Sequence, residues 1–154
     1  MLAVAHAFET FGHLAPCELC LRQREVYWVA ATVAGLGVAA GFTPVGAPAS
    51  RLADVLLTAA FLVGAVVAGY HAGAEWKWWP GPAACSGGAT HVDPAALDAL
   101  LHGARMPMPA CDKPAWVFLG LSMAGWNVLV SLGLAAASAA AFLTRPTSAA
   151  ETPP

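Results

Sequence analysis

Two cysteines, Cys17 and Cys20, stand near the start of the chain, and Arg24 follows the second of them by four residues. A C-x-x-C pair can be a redox dithiol, half of a zinc site, a haem attachment motif or a structural bridge. Haem attachment requires a histidine directly after the second cysteine, where this chain has Leu21. If a helix begins near Cys20, its free amides and its dipole favour a thiolate there. The pattern therefore favours a redox dithiol.

Arg24 supports the same interpretation. On a helix it lies one turn from Cys20 on the same face. Its guanidinium can stabilise a thiolate and donate hydrogen bonds to a carbonyl oxygen of a planar ligand. Without cysteines nearby, an arginine here would equally be an anchor that reaches the lipid headgroups.

The other two cysteines, Cys85 and Cys111, lie 26 residues apart. A bridge between them would close a loop, and the chain-entropy model gives it about 3–4 kcal/mol of stabilisation. Such a bridge can be a structural staple. Glycines and prolines near both cysteines instead favour an exposed turn, where a disulfide is open to attack by another protein's thiolate. They are Gly87, Gly88, Pro107, Pro109 and Pro114.

Zinc is the main alternative for the cysteines. A structural zinc site usually has a second ligand pair at compact spacing, which Cys85 and Cys111 do not have. His13, His71 and His91 are the histidines that could complete a site. We assign no metal ligand from the sequence.

The elements that position these residues are membrane helices. Of the 154 residues, 58% are hydrophobic and 10% charged, whereas soluble domains carry about 25% charged residues. Seven Lys+Arg and a net charge of −2 leave no basic surface for nucleic acid. We predict one membrane-embedded domain over residues 1–143 and a disordered tail over residues 144–154.

Three segments can span a bilayer: Val26–Phe42, Val55–Tyr70 and about Gly125–Leu143. A soluble core helix would explain each one singly, but three with so few charges indicate lipid. Between them lie a short turn, Thr43–Arg51, and a long loop, His71–Lys113. With three spans, all four cysteines face one compartment. Small residues predict close helix packing: Gly35, Gly37, Gly41, Ala135, Ala136, Ala139 and Ala140.

A short helix is predicted inside the long loop. Asp93-Pro94 is typical of a helix start, and Gly103 is a plausible end. The leucines between them fall on one face. This pattern indicates an amphipathic helix on the membrane surface or a surface helix that covers the loop's own core.

Three stretches resemble one family. The run PCELCLRQR at 16–24 is similar to the P-C-x-L-C-x-x-x-R segment of the disulfide-bond formation protein B (DsbB) family, quinone-dependent thiol oxidases of the bacterial inner membrane. Residues 70–85 resemble the family's second loop up to its third cysteine. Residues 111–129 resemble the segment from its fourth cysteine into its last helix. The resemblance covers roughly residues 5–143.

The resemblance implies an all-α membrane protein, a four-helix transmembrane bundle whose first helix is truncated here, with a long periplasmic loop carrying the short amphipathic helix. It implies that both cysteine pairs face the periplasm. Electrons from a soluble thioredoxin-like protein (DsbA-like) would pass to ubiquinone or menaquinone. The family to which we compare the chain is part of the system that keeps the periplasm oxidising.

The resemblance also assigns roles to residues. Cys17 and Cys20 become the pair next to the quinone, with Cys20 as the thiolate that contacts it. Cys85 and Cys111 become the shuttle pair, and Cys85 takes the mixed disulfide with the soluble partner. Two further residues complete the quinone site: Arg24 and His71.

Two features conflict with this family pattern. The positive-inside rule favours the inverse orientation, because most basic residues fall on the side that we assign to the periplasm. We place the cysteines there because exchangeable disulfides need an oxidising compartment. The second feature is the leader: Met1–Pro16 covers only about 24 Å as a helix. We expect an upstream start that adds about ten to twenty apolar residues.

Competing hypotheses remain from the sequence. A vitamin K epoxide reductase-like oxidoreductase would share the chemistry on a different helix order. A non-catalytic membrane protein would use the cysteines for a structural disulfide or a zinc site.

Overall fold

The protein is described here from a computed structural model, which covers residues 1–13, 16–82, 101 and 111–145. The helices in these ranges are α1 (Leu2–Thr10), α2 (Glu18–Ala40), α3 (Gly46–Glu75) and α4 (Met123–Thr144). A two-stranded hairpin, β1 (Val117–Phe118) and β2 (Leu121–Ser122), precedes α4. The predicted all-helical membrane architecture is confirmed. Of the predicted amphipathic helix only Leu101 is described, and it is helical and exposed. The rest of that segment and Cys85 lie outside the described residues.

Helix α2 begins earlier than the predicted span because its first turn is capped by a side chain. Cys17 has extended backbone geometry at the N-cap, and its sulfur accepts a hydrogen bond from the Cys20 amide. Such a bond satisfies one of the free amides at a helix start. Charged residues fill the first two turns, and the uncharged part then runs from Val26 to Ala40.

Helix α3 is longer at both ends than the predicted span. It begins at Gly46, so the predicted turn Thr43–Arg51 is shorter than expected. Pro48 falls in the first turn, where proline is tolerated because its missing amide has no helical acceptor. At the other end, the helix continues to Glu75. His71 is therefore helical, and its prediction as a loop residue is wrong.

Helices α3 and α4 are long and apolar enough to cross a membrane, and no other helix of the described ranges meets that test. Helix α2, the third predicted span, fails because of the charges at its start. The outward faces of α3 and α4 carry exposed large apolar side chains. These include Val63, Val66, Leu129 and Leu132.

Small residues allow close helix contacts, but at fewer positions than predicted. A Cβ added at Gly37 would lie 2.7 Å from the Cβ of Ala53 on α3. Gly35 has no neighbour within 4 Å, and Gly41 meets only backbone of its own chain segment. Among the four alanines singled out on α4, Ala135 alone is buried.

The core between the three long helices is small. Ala30, Phe61 and Ala135 form its buried cluster, and Tyr27 and Leu57 pack against it. These residues come from α2, α3 and α4, so all three helices share one core. Such packing holds the ends of the helices in fixed relative positions.

The end of α4 is joined to the start of α3. Arg145 donates hydrogen bonds to the carboxylate of Asp54, and Arg51 lies 4.7 Å from the Phe142 ring centroid. The helix therefore reaches Thr144, one residue past the predicted domain boundary. Residues 146–154 of the predicted tail lie outside the described part.

The β-hairpin was not predicted. Val117 pairs with Ser122, and Phe118 pairs with Leu121, across a two-residue turn. Leu119 and Gly120 both have positive φ, 51° and 78°, which is the pattern of a type I′ turn. The hairpin leads directly into α4 and places Ser122 at its N-cap.

We expect Gly37→Ala to destabilise the bundle by about 1–3 kcal/mol, because the added methyl overlaps Ala53. The matched control is Gly35→Ala on the same helix, where the space is open. That change should be neutral or stabilising by up to about 1 kcal/mol through helix propensity. Thermal unfolding in detergent measures both, and equal effects would contradict the close contact.

Candidate active site

The dithiol lies at the N-terminus of α2. The Sγ atoms of Cys17 and Cys20 are 2.8 Å apart, and both cysteines are free thiols. The Cys20 amide donates to Cys17 Sγ at 3.3 Å. The sequence predicted that the helix start would favour a thiolate at Cys20. The amide bond instead reaches Cys17, and Cys20 is stabilised by its neighbour.

The two thiols have opposite acidity. The hydrogen bond from the Cys17 thiol lowers the pKa of Cys20 to about 7, against the opposing effect of burial. The charge of Arg24 lowers it further, by a smaller amount. The same sulfur–sulfur contact, together with burial, raises the pKa of Cys17. Cys20 is therefore the more acidic thiol of the pair.

Cys111 lies beside this pair. It is disulfide-bonded and 1% exposed, and it packs in one apolar cluster with Cys17 and Leu19. Its sulfur, Cys17 Sγ and a ring nitrogen of His71 all lie within 4.8 Å of one another. The next residue, Asp112, fixes the segment through its backbone and side-chain oxygens, which both accept from Lys77 Nζ.

His71 is held between the cysteines and a chain of polar side chains. Its Nε2 lies 3.6 Å from Cys17 Sγ, and its Nδ1 lies 2.8 Å from the side-chain nitrogen of Gln23. Gln23 in turn accepts from Asn127 at 2.5 Å. Tyr27 donates to Asn127 at 2.6 Å. The chain links α2, α3 and α4 and fixes the orientation of the imidazole.

Glu75 is a site residue that sequence reasoning missed. It is 8% exposed, accepts a hydrogen bond from Ser122 and has one oxygen 3.7 Å from His71 Nε2. The available signal was its position, four residues after a histidine at the end of an apolar segment. Polar and ionisable residues within membrane helices usually have a functional partner, and Asn127 carries the same signal.

Arg24 contacts α1. Its Nη1 donates to Glu9 at 2.6 Å, and its Nη2 donates to the Ala5 carbonyl at 3.2 Å. Its Nε is buried and has no hydrogen-bond partner among the described residues. A buried donor without an acceptor costs free energy. The guanidinium therefore keeps one donor available for an acceptor from outside the described chain.

A cavity of about 130 Å³ lies between α1 and the dithiol. Apolar side chains form most of its wall, while Cys20 and Arg24 supply polar edges. Its lining includes Leu2, Phe8, Cys17, Tyr27, His71 and Met123. Four of the residues predicted for the site thus share one cavity. Of the other predicted residues, Cys111 contacts Cys17 and Cys85 lies outside the described ranges.

The bundle thus holds a pair of thiols, Cys17 and Cys20, beside a third, disulfide-bonded cysteine, Cys111. This arrangement is that of a membrane protein built for thiol–disulfide exchange. The family model for disulfide bond formation protein DsbB matches residues 1–141. The chain belongs to this family.

Two proteins named disulfide bond formation protein B are similar to this chain over most of its length. The protein from Dechloromonas aromatica is 31% identical over 152 residues, covering 94% of this chain and 86% of the relative. The protein from Methylococcus capsulatus is 33% identical over 146 residues, covering 90% and 83%. No solved structure matches the chain significantly.

We expect alkylation of Cys20 in the reduced protein to rise with pH around a midpoint near 7, since a lowered pKa makes the thiolate available above that value. Cys17→Ala removes the hydrogen-bond donor and should move the midpoint toward about 8.5, the value of a free thiol. Cys17→Ser keeps a donor and should fall between them. Mass spectrometry of the Cys20 peptide measures the rate; identical midpoints for all three proteins would refute the assignment.

Proposed function

We propose that this protein is a quinone-dependent protein thiol oxidase of the bacterial inner membrane. It reoxidises a soluble periplasmic thioredoxin-like (DsbA-like) protein and passes the electrons through Cys85–Cys111 and Cys17–Cys20 to membrane quinone. The observation that carries the proposal is the disulfide-bonded Cys111 within 4.8 Å of the free thiol of Cys17.

The proximity of these sulfurs supports electron transfer by disulfide exchange, which needs direct contact between thiolate and disulfide. The partner's first sulfur attacks Cys85, forms a mixed disulfide with it and releases the Cys111 thiolate. Cys111 then attacks Cys17 of an oxidised Cys17–Cys20 pair, which leaves Cys20 as the thiolate. In this order Cys20, the more acidic thiol, is the leaving group, and a thiol of lower pKa leaves faster.

The remaining exchange steps release the oxidised partner and re-form the Cys85–Cys111 disulfide. The partner's second sulfur displaces Cys85 and leaves as a disulfide. Cys85 then attacks Cys111 of the Cys17–Cys111 bond, which re-forms Cys85–Cys111 and leaves Cys17 reduced beside Cys20. In this product Cys17 and Cys20 are reduced and Cys111 is disulfide-bonded, as in the structure described above. The Cys17–Cys20 pair would then be reoxidised by a bound quinone, which closes the cycle.

The cavity beside Cys20 fits a quinone. Its wall is largely apolar. The buried Nε of Arg24 has no hydrogen-bond partner in the described ranges, so a carbonyl oxygen of the quinone would satisfy it. A bound quinone supplies a two-electron, two-proton acceptor. Cys20 faces it as the electron donor. His71 Nε2, 3.6 Å from Cys17 Sγ, lies where it can take up the proton of the Cys17 thiol.

The periplasmic orientation rests on chemistry. Cys17, Cys20 and Cys111 lie at the same end of the bundle, where α2 and α4 begin and α3 ends. Disulfides that exchange in each cycle need an oxidising compartment. This requirement outweighs the distribution of basic residues, and it places the opposite end, with Asp54 and Arg145, in the cytoplasm.

Quinone reduction in the presence of a reduced thioredoxin-like protein tests the proposal, and Arg24→Ala makes the test specific. We expect this variant to raise the KM for quinone at least about tenfold, since one charge-assisted hydrogen bond is worth about 1.5–3 kcal/mol. The KM for the protein thiol should change little. Lysine should rescue poorly because it lacks the planar fork.

Arg22→Ala is the matched control, since Arg22 is exposed and its ion pair within the described part of the chain is with Glu25. It should leave both KM values unchanged. Absence of quinone reduction by the unaltered protein would reject the oxidase proposal. If Arg24→Ala changed the KM for both substrates equally, the role of Arg24 in quinone binding would be rejected, but the oxidase proposal would stand.

The division of labour between the cysteine pairs gives a second prediction. Cys111→Ser leaves Cys85 as a free thiol that can attack the disulfide of the oxidised thioredoxin-like protein, and it removes the Cys111 thiol that would otherwise attack Cys85 and release that partner. We expect it to accumulate a covalent adduct with the thioredoxin-like protein, visible on non-reducing gels and lost on reduction. Cys85→Ser should form no such adduct. An adduct through Cys17 or Cys20 would show that the relay runs in the opposite order. If the Cys85–Cys111 disulfide were only structural, neither variant would form an adduct.

A further inference from the structure

Three potential metal-ligand atoms meet at the buried end of the bundle. Cys17 Sγ, a ring nitrogen of His71 and Cys111 Sγ lie within 4.8 Å of one another, and all three residues are buried. Cys20 Sγ is 2.8 Å from Cys17 Sγ but is not within 4.8 Å of all three of these atoms, so its side chain must turn toward His71 and Cys111 to become a fourth ligand. We propose that the fully reduced protein binds one Zn²⁺ through Cys17, Cys20, His71 and Cys111.

The distances suit tetrahedral zinc. Zinc–sulfur bonds of about 2.3 Å and zinc–nitrogen bonds of about 2.0–2.1 Å place neighbouring ligand atoms about 3.5–3.8 Å apart. Cys17 Sγ and His71 Nε2 are already 3.6 Å apart. Cys20 Sγ must move about 1 Å away from Cys17 to reach that spacing. Cys20 is only partly buried, so its side chain has room to do so.

The surroundings of His71 suit a metal ligand. When Nε2 binds zinc, Nδ1 carries the proton and needs an acceptor, as metal-bound imidazoles usually have. Gln23 is at Nδ1, and rotation of its amide presents the oxygen. The hydrogen bonds of Asn127 and of the Tyr27 hydroxyl can reverse direction in the same way, because each group can both donate and accept. The whole chain of hydrogen bonds therefore persists with the metal bound.

The site exists in one redox state only. Cys111 is disulfide-bonded here and becomes a ligand after its disulfide takes two electrons and two protons from a dithiol or a phosphine. Zinc then displaces the protons of the three thiols. In the oxidised protein these sulfurs are in disulfides. On the proposed function, zinc would therefore inhibit by holding the relay reduced; the binding itself does not rest on that function.

Co²⁺ titration of the full chain in detergent tests the site. The protein is reduced with a phosphine that is then removed without oxygen, and Zn²⁺ is added afterwards as a competitor. We expect one Co²⁺ per chain, with the thiolate charge-transfer and visible bands of tetrahedral cobalt, and displacement by Zn²⁺. The oxidised protein should bind none.

Variants assign the ligands. Cys111→Ser and His71→Ala should each weaken Co²⁺ binding at least about tenfold, while His13→Ala, a histidine outside the cluster, should not. Circular dichroism checks that each variant is folded. The proposal is overturned if the reduced protein binds no Co²⁺, if the oxidised protein binds equally, or if Cys111→Ser binds with unchanged affinity.

These outcomes are separate from those for the oxidase. The metal titration contains neither quinone nor partner protein. A protein that reduces quinone but binds no Co²⁺ rejects the zinc site alone, whereas one that binds Co²⁺ without reducing quinone rejects the oxidase alone.

Discussion

The contact between Cys17 and the first turn of α2 is the constraint on which the site depends. The sulfur of Cys17 accepts the Cys20 amide as a helix cap and shares its thiol proton with Cys20 Sγ. Helix geometry thereby fixes the distance between the two sulfurs. The same sulfur faces His71 and Cys111, so one side chain joins three functional groups.

The two neighbouring thiols differ in pKa because Cys17 donates a hydrogen bond and Cys20 accepts it. Cys20 gains acidity from its neighbour, while Cys17 keeps its proton and lies among buried groups. The thiolate side faces an apolar cavity, and the thiol side faces a histidine and a disulfide-bonded sulfur. Two adjacent cysteines therefore present different chemistry to the two sides of the site.

Features of the fold that depend on local sequence pattern could be predicted from the sequence. Long uncharged stretches predicted the helices of the bundle, and the spacing of Cys17, Cys20 and Arg24 placed all three on one cavity. These predictions hold because helix periodicity and bilayer thickness are properties of short segments. The position of His71 was misjudged because a polar residue near the end of an apolar run can belong to either the helix or the loop.

Contacts between distant segments could not be predicted in this way. The pair of Arg24 with Glu9 joins separate helices, and the bond of Ser122 to Glu75 depends on a hairpin whose turn has no typical Asn-Gly or Asp-Gly signal. Of the two glycines within α2, Gly35 and Gly37, only Gly37 meets another helix. Which glycine does so depends on helix rotation, which composition leaves undetermined.

The chain of side chains from Tyr27 through Asn127 and Gln23 to His71 also bears on how the helices assemble. Each of α2, α3 and α4 contributes at least one member. In a lipid environment, a polar group that loses its partner finds no water to replace it. A helix turned about its axis by one residue, about 100°, would leave several such groups unpaired at once. The network therefore selects the rotational setting of three otherwise smooth apolar helices, much as a single polar residue sets the register of a coiled coil.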